Sequence, residues 1–228
     1  MDSDQTKKKY YKKEELYNTL LRRLSTPLLK LILKTNLTAN QISIFWIILY
    51  ISVILLFLKG THELVITAVV LKIIADIFDM LNGGIARCKD YPKKKLAKGD
   101  YMENITHHII RPYMIFAIAV GLFLSSKEII ILILGSIAAI NSGIIELSIN
   151  DKRNAINNYL GDSEKIKEDF LKNYLRIKTI ATEAYLFFFS FGIIIFSIFG
   201  ILNSWILLLV VYSTIYLIGK VFYEYTNL

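Results

Sequence analysis

The sequence predicts an all-α polytopic membrane protein. It has about six transmembrane helices, preceded by an N-terminal interfacial amphipathic helix, with the N-terminus and C-terminus cytoplasmic. Three observations carry this expectation. The chain is 54% hydrophobic over 228 residues, and its apolar residues fall in blocks that reach the length of about 20 residues needed to span a bilayer. Basic residues collect in alternate connections, as the positive-inside rule requires of a multi-span protein. Acidic side chains gather where one apolar run meets a lysine-rich loop, between Asp76 and Arg87. An ionised group within a spanning helix costs about 2.5–3.5 kcal/mol on insertion scales unless it faces a partner or a wet cavity.

Residues 1–15 are polar and carry Lys7, Lys8, Lys9, Lys12 and Lys13, which reads as a tail drawn to anionic headgroups. From Leu16 to Lys34, leucines at positions 16, 20, 21, 24, 28 and 31 recur at helical spacing between Arg22, Arg23, Lys30 and Lys34. That pattern predicts a helix lying in the membrane interface, bent or restarted at Pro27. Residues 1–40 form this basic tail and interfacial helix, and 41–228 the six-helix transmembrane domain. Thr38 with Gln41 three residues later has the form of a capping box opening the first span.

The spans are expected near Gln41–Leu58, Leu64–Ala86, Tyr101–Leu124, Glu128–Ile149, Thr179–Phe199 and Ser204–Tyr223. The second loop carries Arg87, Lys89, Lys93, Lys94, Lys95 and Lys98, and the fourth, roughly 150–178, is also lysine-rich. The intervening loops carry few charges. The tail, the even-numbered loops and the C-terminus are therefore placed in the cytoplasm. The formal charge of +8 is assigned to this membrane-facing asymmetry, and no nucleic-acid partner is expected. The single cysteine, Cys88, excludes an intramolecular disulfide and reads as a packing residue. The first apolar run begins near Gln41, behind a basic amphipathic segment, so no cleavable signal peptide is expected.

On a helix, Asp76 and Asp79, Asp79 and Asn82, and Asp79 and Gly83 are three or four apart and share a face. Gly99, Glu103 and His107 form a stripe with a spacing of four on the next helix. Two antiparallel neighbours would point Asp79, Asn82, Glu103 and His107 into one cytoplasm-facing pocket. Carboxylate and amide oxygens suit hard divalent cations such as Mg2+ or Mn2+. Gly83 and Gly84 serve either close helix packing or close approach of a bulky anion.

These residues resemble the signature of the CDP-alcohol phosphotransferases, D-x2-D-G-x2-A-R followed after a gap by G-x3-D-x3-D. Asp79, Gly83, Ala86, Arg87 and Gly99 match it directly. The run Leu37–Ser43 and the pattern of an interfacial helix before six spans are also similar. Three positions depart from the signature: Asn82, Glu103 and His107 stand where the family has aspartates, and the gap before Gly99 is longer. The resemblance implies a homodimeric membrane enzyme that binds a CDP-alcohol donor through a divalent metal. A hydroxyl of a lipid or phosphorylated alcohol acceptor then displaces CMP. Carried over, Asp79 and Glu103 hold metal, with Asn82 as an amide ligand and Asp76 as a further one if it swings in. Gly83, Ala86, Arg87 and Gly99 form the nucleotide pocket, Arg111, Lys152 or Arg153 holds an acceptor phosphate, and His107 takes the base position or ligates the metal. Two carboxylates offset one divalent ion, so one firmly held metal is expected. An imidazole, with an ordinary pKa of about 6.5, is better placed than a carboxylate to accept a hydroxyl proton at neutral pH. A non-catalytic relative that binds a nucleotide or headgroup is the main alternative. A small transporter using Asp76 and Asp79 is a third.

Overall fold

The computed structural model describes residues 16–89, 93–159 and 187–226. The side chains of Leu16, 93–98, 100–104, 146–159, 220–221 and 223–226 lie outside that description. The described residues form seven helices and no strand: α1 (Leu16–Ile32), α2 (Ala39–Lys59), α3 (His62–Cys88), α4 (Lys93–Ser126), α5 (Ile129–Tyr159), α6 (Phe187–Ile198) and α7 (Leu202–Thr226). The lysine-rich tail and most of the fourth loop lie outside the described residues.

The expected start of α2 is realised atom by atom. Thr38 is its N-cap, with its hydroxyl accepting from the Gln41 amide and the Gln41 side chain accepting from the Thr38 N–H at 2.9 Å. These contacts satisfy donors that a helix start otherwise leaves open. Lys89, just past α3, donates to the carbonyls of Leu37 at 2.6 Å and Thr35 at 3.2 Å. It thereby ties the α1–α2 turn to the end of α3.

Helix α1 runs unbroken through Pro27, where the sequence led us to expect a bend or restart. The Arg23 carbonyl, which Pro27 cannot serve, belongs to an exposed residue. Tyr17, Leu21, Ser25 and Leu29, four apart, are buried, whereas Leu20, Leu24, Leu28 and Leu31 form an outward stripe. One face of α1 packs on the bundle, against α3, and a second apolar face points away.

Among the described residues, three helices are long and apolar enough to cross a membrane: Ala39–Lys59, Ile105–Ser126 and Leu202–Gly219. Ile129–Ile145 and Phe187–Ile198 are apolar but shorter within the described residues. α3 has the length, yet every 18-residue stretch of it contains Lys72, Asp76 and Asp79. Apolar side chains stand outward, for example Ile44, Ile48, Ile51 and Leu55 along α2. A belt of this kind is uncommon on a water-soluble monomer and is compatible with a lipid surround.

The core is built where α2 meets α3 and α4, α4 meets α5, and α5 meets α7. Trp46, Tyr50, Val53 and Phe57 of α2 fill it against Ala68, Ala75, Met114 and Ile118. Small residues let the helices close in: a Cβ at Gly135 would stand 2.1 Å from that of Ala119, and one at Gly121 would stand 2.1 Å from the Phe57 carbonyl oxygen. Such close backbone approach is the usual basis of helix association in membranes. Gly60 ends α2 with φ of 71°, a left-handed conformation that favours glycine.

Candidate functional site

The apolar core is interrupted on one side of α3. Lys72 and Asp76, one turn apart, are both buried and form an ion pair with Nζ 2.8 Å from Oδ2. The hydroxyls of Tyr17 on α1 and Tyr50 on α2 also donate to Asp76. One carboxylate therefore gathers three donors from three helices, which is how a buried charge is made tolerable. The Lys72 ammonium also lies 5.4 Å from the Tyr17 ring centre and 5.9 Å from that of Phe189. Burial first, and the neighbouring Asp76 carboxylate second, push the Tyr17 phenol well above its ordinary value.

One turn along α3, Asp79 faces α4. Its Oδ2 lies 3.5 Å from His107 Nε2, whereas its Oδ1 is buried with no hydrogen-bond partner among the described residues. The His107 ring stacks on Trp46, with centroids 5.4 Å apart and planes 19° from parallel. Trp46 itself is buried, and its Nε1 has no partner among the described residues. His107 is thus held between an indole face and a carboxylate.

Both groups open on a single cavity of about 250 Å³. α1 supplies Tyr17, Asn18 and Leu21 to its wall, and α6 supplies Phe189 and Ser190. From α3 and α4 come Asp76, Asp79, His107 and Arg111, among others. Four of the residues expected from the sequence therefore converge.

The others are placed differently. Asn82 is buried on α3 but does not line this cavity. Gly83 and Arg87 meet each other: a Cβ at Gly83 would stand 3.2 Å from the Arg87 Nη2, so the bare glycine admits the guanidinium. Ala86 packs beside Leu81 and Ile85 in a small second core. Gly99 has nothing among the described residues within 4 Å of where its Cβ would be. The Glu103 side chain, and those of Lys152 and Arg153, lie outside the described residues.

The sequence reading missed Lys72, Tyr17, Tyr50 and Trp46. Lys72 carried a signal: a lysine in an apolar run, four residues before Asp76, has the spacing of a helical ion pair. The two tyrosines and the tryptophan carried none, because aromatic residues are ordinary in membrane helices.

Among the described residues, no three of His, Cys, Asp and Glu gather closely enough to hold a metal ion. The unpartnered, buried Oδ1 of Asp79 is nevertheless an acceptor that a hard cation would satisfy. The chain matches no family model and no curated protein.

Proposed function

We propose that this protein is a membrane-embedded transferase of the CDP-alcohol phosphotransferase type. In this reading it moves a phosphoalcohol group from a CDP-alcohol to an acceptor hydroxyl and releases CMP. The observation that carries it is the meeting of Asp79 and His107, 28 positions apart in sequence, at 3.5 Å on the wall of one cavity. The signature-like pattern Asp79, Gly83, Ala86, Arg87 and Gly99 supplies the context. The seven helices support an interfacial α1 followed by six spans. The basic loops argue for cytoplasmic termini and a site facing the cytoplasm. The family resemblance argues for a homodimer.

In the proposed reaction the acceptor oxygen forms a bond to the donor phosphorus distal to the nucleoside, and the bond from that phosphorus to the CMP oxygen breaks. His107 takes the hydroxyl proton, and CMP leaves with the bonding electrons. Asp79 offsets the positive charge that the imidazole gains. Trp46 fixes the plane of the ring, so His107 pays little ordering cost when the acceptor arrives. Arg87, which lies over Gly83, neutralises phosphate charge.

Asp79 would hold the divalent metal, Mg2+ or Mn2+, with Glu103 as second carboxylate, whereas Asn82 is buried away from this cavity and is left out of the ligand set. When bound, the metal supplies charge neutralisation at the donor phosphates. Asp76 is already engaged by Lys72, Tyr17 and Tyr50, which favours a site with a single metal.

The test is CMP release by the protein in lipid, with a panel of CDP-alcohols and acceptors, with and without chelator. Metal-dependent release that is lost in Asp79→Asn and His107→Ala supports the reading. No release from any donor, with CDP still stabilising the protein through Asp79, would make it a nucleotide-binding relative without activity.

A further inference from the structure

We propose that Tyr17, Tyr50, Lys72 and Asp76 form a subsite for a small polyhydroxylated molecule. In the transfer reaction proposed above, on which this assignment of role rests, that molecule is the acceptor. None of the four belongs to the signature-like motif, yet all four line the same cavity as Asp79 and His107. A hydroxyl presented to His107 would have the rest of its molecule against them.

The hydrogen-bonding positions that the cluster leaves open define what it can hold. Each tyrosine hydroxyl has one proton, and both protons go to Asp76. Their oxygens are left as acceptors. Lys72 has three N–H donors, of which one goes to Asp76 among the described contacts. The cluster therefore offers fixed acceptors and a fixed donor side by side, the pattern that vicinal hydroxyls match because each can both give and receive.

Charge points the same way. Lys72 and Asp76 cancel, so this wall is strongly polar without net charge. A phosphate, which only accepts, could use the Lys72 donor alone and would meet the tyrosine oxygens and Asp76 with like polarity. An acyl chain would strip the open donor and acceptors of any partner, which disfavours it at this wall. Size completes the case: about 250 Å³ falls just below the roughly 300–1,000 Å³ of drug-sized ligand pockets.

Equilibrium binding of radiolabelled neutral polyols and monosaccharides to the full chain in lipid nanodiscs tests this. Inorganic phosphate and diacylglycerol serve as comparison ligands. The expected result is saturable binding of at least one polyol, not displaced by phosphate. Tyr17→Phe and Tyr50→Phe, which delete one hydroxyl each, should weaken it about tenfold with the melting transition retained. Absence of binding across the panel overturns the proposal, as does binding that both variants leave unchanged.

CMP release, followed in the same samples, separates this inference from the enzyme reading. Polyol binding that is sensitive to the tyrosines, with no CMP released from any donor, keeps the subsite and removes its role as acceptor site. Metal-dependent CMP release with diacylglycerol as the only acceptor keeps the enzyme and overturns the subsite.

Discussion

Replacing Lys72 by methionine isolates the buried ion pair. The side chains of Lys72 and Asp76 are 2% and 9% exposed, and the charges are 2.8 Å apart. At an effective dielectric of about 20, their attraction is about 6 kcal/mol, most of which offsets the cost of burying both ions. Removing the lysine alone leaves that cost on Asp76, now supported only by Tyr17 and Tyr50. Breaking one side of a buried pair costs about 3–5 kcal/mol, and Asp76→Leu should cost a similar amount by stranding the ammonium. The double variant Lys72→Met/Asp76→Leu buries no charge, so it should cost at least 3 kcal/mol less than the sum of the two singles. Reversible unfolding in mixed micelles, read as a double-mutant cycle, measures this coupling. Singles that each cost under 1 kcal/mol and add without coupling would refute the reasoning, because the pair could then be neither buried nor in contact.

Four further outcomes follow from other parts of the fold. Gly121→Ala drives a Cβ to within 2.1 Å of the Phe57 carbonyl oxygen and should cost about 1–3 kcal/mol by forcing α2 and α4 apart. Gly99→Ala, with no described residue within 4 Å of the added Cβ, should stay within about 0.5 kcal/mol of the parent, so a loss of CMP release in that variant would report lost ligand contact rather than unfolding. The Tyr17 phenol is held above its ordinary value of 10. The stability this gives is complete below about pH 10 and is lost as pH rises through the folded value. Melting temperature should therefore fall in alkali, and Tyr17→Phe should flatten that fall. Cys88 is the single cysteine, at the end of α3, and a membrane-impermeant maleimide should label it in inverted but not in right-side-out vesicles. The opposite result would overturn the cytoplasmic placement of the second loop.

Much of the site's location was legible because it rests on local rules. The spacing of three and four along α3 and the stripe ending in His107 implied that Asp79 and His107 would face one another, and they do at 3.5 Å. The Thr38–Gln41 box was legible for the same reason, since both of its hydrogen bonds close within one turn. Arg87 and Gly83, also one turn apart, come into contact as helix geometry requires. At Pro27 the helix continues without a restart, an outcome that the local rule for proline does not decide by itself.

By itself, then, the sequence determined the helices, their apolar faces and the axial order of the charged groups, all of which depend on neighbours within about four residues. Only the tertiary structure decided which side chains complete the site. Tyr17 is 59 positions from Asp76 and Tyr50 is 26. Trp46 reaches His107 from a different helix. Such meetings depend on how each helix rotates and approaches its neighbours, which the close contacts at Gly121 and Gly135 set. Asp76 shows the consequence. Read along the chain it is one more acidic ligand beside Asp79, but packing surrounds it with Lys72, Tyr17 and Tyr50, so that two carboxylates one turn apart acquire different chemistry.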